Sequence, residues 1–194
     1  MNEESTSREK RIFSILDQEI KDGEQVAADV RVMAEQVLIN EKGYLPEDIE
    51  KEVAFDVVLG QETVKSHVDI VVSIDGRKAM VVKCAPGSLV SRERQVVAAA
   101  RLLGDFQIPV AVAMDPVSAI VLDAVTGKMI GEGDGAVPTK EQLRGLLSGM
   151  KPAQVSPERV EREKRVLLAF DAIKCSIPQG ADGGVEIDDA CEDK

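Results

Sequence analysis

His67 is the only histidine in the chain, and Cys84, Cys175 and Cys191 lie far apart. A Ser-His-Asp or Cys-His nucleophile would have to be built on His67, and no serine stands in a nucleophile-elbow motif. Zinc needs clustered Cys or His ligands, and the spacing offers none. No glycine-rich loop is followed by Lys-Ser or Lys-Thr, and no dinucleotide fingerprint is present. What remains is a hairpin. Two β-rich runs, 68–74 and 79–83, flank Asp75-Gly76, a strong turn signal. The first run carries one acid, Asp69, and the second one base, Lys83. The plain structural outcome of such a pair is a half-buried or buried ion pair. Cys84 beside it reads as a small core filler rather than a reactive thiol.

The elements that must position this hairpin follow from periodicity. Ile12, Ile15, Leu16 and Ile20 predict a helix over 7–21 that ends before Gly23. Val26, Val30, Met33, Val37 and Leu38 predict a second over 26–42, stopped by Gly43. Residues 52–57 alternate as a half-buried strand does. Residues 91–103 read as a helix closed by Gly104. The apolar run 108–114 reads as a strand buried on both faces, and a helix leading into such a strand signals a βαβ crossover. Runs 119–123 and 128–130 form a last hairpin around Thr126-Gly127. Thr139 and Gln142 have capping-box spacing, and Ser156-Pro157-Glu158 opens a final helix to about residue 174.

With 194 residues and 44% hydrophobic content, the chain suits one domain with appended segments. Only five residues are Phe or Tyr, so the core is aliphatic. Thirty-five acids against 24 Lys and Arg give a charge of −11, which excludes a general nucleic-acid-coating protein. The excess is uneven. Residues 182–194 hold six acids and one base, and read as a disordered acidic tail. Between 83 and 101, Lys83, Arg92, Arg94 and Arg101 face only Glu93. No apolar run reaches the ~20 residues of a membrane span. The polar, acidic start predicts no secretory leader, so the expected location is cytoplasmic.

Arg31, Val37-Leu38, Glu41-Lys42-Gly43-Tyr44 and Ile49-Glu50 resemble the opening of the N-terminal nuclease domain of type I restriction enzyme R subunits. The resemblance continues through Val68-Asp69-Ile70-Val71-Val72, Val81-Val82-Lys83-Cys84-Ala85-Pro86-Gly87, Gln95 and Ala100-Arg101-Leu102-Leu103-Gly104. It ends at Leu122-Asp123-Ala124-Val125-Thr126-Gly127-Lys128 and covers roughly residues 26–135. This family belongs to the PD-(D/E)XK nuclease-like superfamily. The resemblance implies a restriction-endonuclease-like fold: an α/β mixed sheet flanked by helices, here with helical N- and C-terminal extensions. The expected boundaries are 1–25 for an N-terminal helical extension, 26–150 for the domain, 151–176 for a C-terminal helix and 177–194 for the tail.

For chemistry, the resemblance implies Mg²⁺-dependent cleavage of DNA phosphodiesters. An Asp and a Glu on adjacent strands would hold the metal through hard oxygens, and a Lys two residues after the Glu would share their face. Asp69 matches the acid and metal ligand, and Lys83 matches the lysine as catalytic residue. Val81 then stands where the Glu should be. A second register places Lys83 itself on the Glu position, with one residue deleted after it. Either way a carboxylate is missing; Glu35, Glu52 and Glu93 are candidates to replace it. Gln95 matches a catalytic-site glutamine. His67, Arg92, Arg94 and Arg101 are candidate nucleic-acid contacts, with His67 where the family usually has Arg.

Hairpin parity gives a geometric expectation. A three-residue loop with Gly76 left-handed would pair Ser73 with Arg77, Asp69 with Val81 and His67 with Lys83, all on one face. A two-residue loop would pair Ile74 with Arg77 and set Asp69 against Val82. The first is expected, because it preserves the family's arrangement. The functional expectation is an endonuclease-like protein with a degenerate site and Mg²⁺ as its cofactor. The alternative is a non-catalytic nucleic-acid-binding or protein-interaction module on the same scaffold. DNA, a restriction-system protein or a second copy of the chain are the expected partners. The chain carries no ATPase or helicase motif.

Overall fold

The computed structural model describes residues 3–85 and 88–175. Helix α1 (Glu3–Asn40) leads into strands β1 (Ile49–Leu59), β2 (Glu62–Ile74) and β3 (Arg77–Cys84). Helix α2 (Glu93–Leu102) then crosses to β4 (Val110–Met114), followed by β5 (Ala119–Asp123) and β6 (Lys128–Glu132). Helices α3 (Lys140–Ser148) and α4 (Pro157–Cys175) complete the described chain. The expected acidic tail lies outside the described residues.

The six strands lie side by side in chain order. All neighbours are antiparallel except β3 and β4, which are parallel. A parallel pair cannot be joined by a tight turn, and α2 is the crossover it requires. All of β4 and the last six residues of β3 are buried, because helices cover both faces of the sheet. On one face Val30, Ala34 and Leu38 of α1 and Leu143 and Leu147 of α3 pack over Ile70, Val72, Met80, Val82 and Val112. On the other, Val96, Val97 and Ala100 of α2 and Leu167 of α4 pack over Val71, Val81, Ala111 and Leu122. This is the mixed α/β sheet flanked by helices that the sequence implies. No helix among the described residues is long and apolar enough to cross a membrane.

Local signals account for most element ends. Gly43 takes a φ of +75° after α1, where Lys42 and Tyr44 N–H groups satisfy the last helix carbonyls. Thr139 and Gln142 form the reciprocal capping box that their spacing predicts. Two expectations fail. The separate helices over 7–21 and 26–42 are one helix that runs through Gly23 and residue 25 without a break. A lone glycine costs a helix interior only about 1 kcal/mol, too little to end it.

The β2–β3 loop is the other correction. Asp75 and Gly76 both have positive φ, +51° and +79°, and Ile74 pairs directly with Arg77. The loop is therefore the two-residue kind, since an aspartate tolerates the left-handed region almost as a glycine does. A bulge then follows: Ser73 pairs with Lys78, but Val72 pairs with Met80, leaving Ala79 extra on β3. That single residue shifts the register and restores the parity that the shorter loop alone would have lost.

Candidate functional site

The last ladder pair between β2 and β3 is Ile70 with Val82, and one step beyond it stand Asp69 and Lys83. Asp69 is thus level with Lys83, and not with Val81 as the three-residue loop would require. Val81 pairs with Val71, is fully buried, and belongs to the core under α2. His67 follows two residues before Asp69 on β2. Lys83 thus occupies the position across the strands from Asp69.

Asp69 is 3% exposed and Lys83 8%. The Lys83 ammonium lies 3.1 Å from Asp69 Oδ2, and the Cys84 backbone N–H donates to that same oxygen at 2.8 Å. The carboxylate thereby takes over an N–H at the point where the β2–β3 ladder ends. On its other side Arg31 Nη1 sits 3.7 Å from Oδ1 and 3.0 Å from Glu52 Oε1. Lys83 Nζ is also 3.1 Å from His67 Nε2. An ammonium can only donate, so with Lys83 charged the His67 Nε2 is the acceptor of that contact. Acid and base thus alternate from Glu52 through Arg31 and Asp69 to Lys83, with His67 at the end.

Glu52 itself has a φ of +53°, a left-handed conformation unusual for a non-glycine residue inside a strand. It stands on β1 between the pairs Lys51–Ile70 and Val53–Val68, opposite Asp69. Arg31 was visible in the sequence only as part of the family resemblance, without a role. Its neighbours Val30 and Ala34 pack on the sheet, and this sets Arg31 at the sheet's rim above β2.

The remaining candidates are divided by the fold. Gln95 is buried in α2 and accepts a hydrogen bond from Arg92 Nη1 at 3.3 Å. Arg92 is half-buried and Arg94 exposed, both at the start of α2. Arg101 is 7% exposed and engaged elsewhere: it donates to Glu163 Oε1 at 2.6 Å and to the carbonyls of Ala124 and Val125. The phosphate contact expected of it is taken up by this internal tie between α2 and α4. Of the three acids named as candidates for a second carboxylate, Glu35 holds Lys51 and Glu52 holds Arg31. Glu93 lies in the first turn of α2.

These residues do not fit a magnesium ion. Mg²⁺ wants an octahedral shell of oxygens, with one or two carboxylates free to enter it. Here one carboxylate is flanked by an ammonium and a guanidinium, and the position across the ladder presents positive charge. Among the described residues no three acid, His or Cys side chains group as metal ligands.

Cys84 faces the opposite core layer. Burial, with the Asp69 carboxylate adding to it, pushes its thiol up to about 12. Only the thiolate reacts, so Cys84 is expected to resist iodoacetamide in the native protein and to alkylate fully in urea. Peptide mass spectrometry after brief native labelling checks this; rapid native modification of Cys84 would contradict the burial.

A family model described as type I restriction enzyme R protein N terminus matches residues 28–138. No curated protein and no solved structure matches the chain.

Proposed function

Because the chain belongs to the family of type I restriction enzyme R protein N termini, we propose that it contacts DNA on a nuclease scaffold whose cleavage site has been closed. One observation carries this reading. The acid that the resemblance assigns to the site, Asp69, has Oδ2 held by Lys83 and the Cys84 N–H, with Arg31 3.7 Å from Oδ1. A carboxylate so engaged is not available to activate a water or to hold a metal against a phosphate.

The DNA-facing part of the proposal rests on placement. Strand β3 ends at Cys84 and α2 opens at Glu93, so Arg92 and Arg94 stand at the same end of the sheet as Lys83 and His67. Ligands of open α/β sheets gather at the carboxyl ends of parallel strands. Two arginines there can contact phosphates although the whole chain is acidic, because screening confines the opposing charge to about 10 Å at 0.1 M salt.

The test is fluorescence anisotropy with a labelled DNA duplex across a salt series. The Arg92→Ala/Arg94→Ala variant is expected to bind several-fold more weakly, with a salt slope shallower by about 2, near one unit per lost phosphate contact. Salt-independent binding, or a double variant equal to the wild type, would sink the proposal. The second reading is a slow Mg²⁺-dependent endonuclease, favoured by the survival of Asp69 and Lys83 side by side. Nicking of a supercoiled plasmid in Mg²⁺ or Mn²⁺ that Asp69→Asn abolishes would establish that reading instead.

A further inference from the structure

We infer that Lys83 is a tethered cation, occupying the position at which a divalent metal would otherwise neutralise Asp69, and that the chain closes this site without any metal. The inference deepens the reading of the same site but does not depend on DNA binding. A negative anisotropy result leaves it intact.

Its basis is the arrangement around one carboxylate. Asp69 is nearly inaccessible, and a buried carboxylate must be neutralised or supplied with hydrogen bonds. Three sources were open to the fold: a proton, a bound cation or a cationic side chain. The register delivers the third. The bulge at Ala79 puts Lys83, rather than Val82, one step past the last ladder pair and directly across from Asp69. The ammonium then lies 3.1 Å from Oδ2, while Arg31 approaches Oδ1 at 3.7 Å. A divalent ion entering here would meet two fixed positive charges before it met a second oxygen ligand. Glu52 does not offset this, since its own carboxylate is 3.0 Å from Arg31.

The sign of the charge at residue 83 is therefore decisive. In Lys83→Glu two carboxylates face each other across the strands. Like charges so close repel, which disfavours ionisation of both unless a cation lies between them. The substitution should therefore turn a metal-excluding site into a metal-binding one.

Manganese alone is the probe, read by the paramagnetic resonance of free Mn²⁺ and by Tm. Folded K83E is expected to remove about one equivalent more Mn²⁺ than wild type, and the K83E/D69N variant to return to the wild-type level. Surface acids and the acidic tail are common to all three proteins and cancel in the difference. Wild type should keep its Tm in EDTA and in millimolar Mn²⁺. Lys83→Met keeps the aliphatic stem and drops the charge, and its Tm should rise with Mn²⁺ even if K83E fails to fold. Wild-type Mn²⁺ uptake that Asp69→Asn removes would overturn the inference, as would a wild-type Tm that falls in EDTA. A folded K83E that takes up no extra metal would also overturn it.

Discussion

Asp69→Ala is expected to destabilise the protein by about 3–5 kcal/mol, the usual result of removing one partner of a buried ion pair. In a domain of this size that is a fall in Tm on the order of 10 °C. The size follows from what the carboxylate does. Its loss takes the carboxylate from the buried Lys83 ammonium, leaves the Cys84 N–H without its acceptor, and leaves Arg31 paired with the exposed Glu52. Lys83→Met should cost less, because Asp69 then still accepts from Cys84 N–H and keeps Arg31 nearby. Asp69→Asn should fall between, since an amide oxygen can still accept. Urea unfolding monitored by circular dichroism gives the order directly. A Tm for Asp69→Ala within about 2 °C of wild type would mean that the pair holds nothing, and that Asp69 is kept for another reason.

Arg101→Ala is expected to cost a similar amount, again about 3–5 kcal/mol, while leaving the DNA affinity of the native protein unchanged. Burial lowers the pKa of this guanidinium and Glu163 opposes that shift, but an arginine keeps its charge regardless. Its three nitrogens are used at once. Nε donates to Ala124 O at 2.7 Å, Nη1 to Glu163 Oε1 at 2.6 Å and Nη2 to Val125 O at 3.3 Å. One side chain therefore joins the end of α2 to α4 and to the loop that follows β5. Arg101→Lys should not rescue the loss, because an ammonium cannot reproduce the planar fork. A double-mutant cycle with Glu163→Ala measures the coupling, and the expected value is several times that of an exposed pair. An Arg101→Ala protein of native stability but weakened DNA binding would return Arg101 to the phosphate contacts.

Both predictions turn on residues that were prominent in the sequence, and they show where that prominence ended. Gly43, the Thr139–Gln142 box and the Asp75-Gly76 turn act within a few residues, and each appears where its chemistry demands. The apolar run 108–114 became β4, and the helix before it became the crossover. Gly23 misled, because one glycine costs a helix interior too little to end it. Arg101 misled for a related reason. A basic residue on a helix reads as solvent-facing until another helix, here α4, is laid over it.

The sequence by itself determined the fold class, the order of the elements and the family. These are matters of local pattern and of residue identity. Only the tertiary structure decided which residue of β3 faces Asp69. The turn came out two residues long rather than three, and a bulge at Ala79 then compensated, so that Lys83 and not Val81 faces Asp69. A bulge adds one residue to one strand and is fixed by the packing of both sheet faces, so no short-range signal announces it. Arg31 reached Asp69 from α1 for the same kind of reason. Contacts between residues distant in the chain are set when helices settle on a sheet, and those contacts close Asp69 into an ion pair with Lys83.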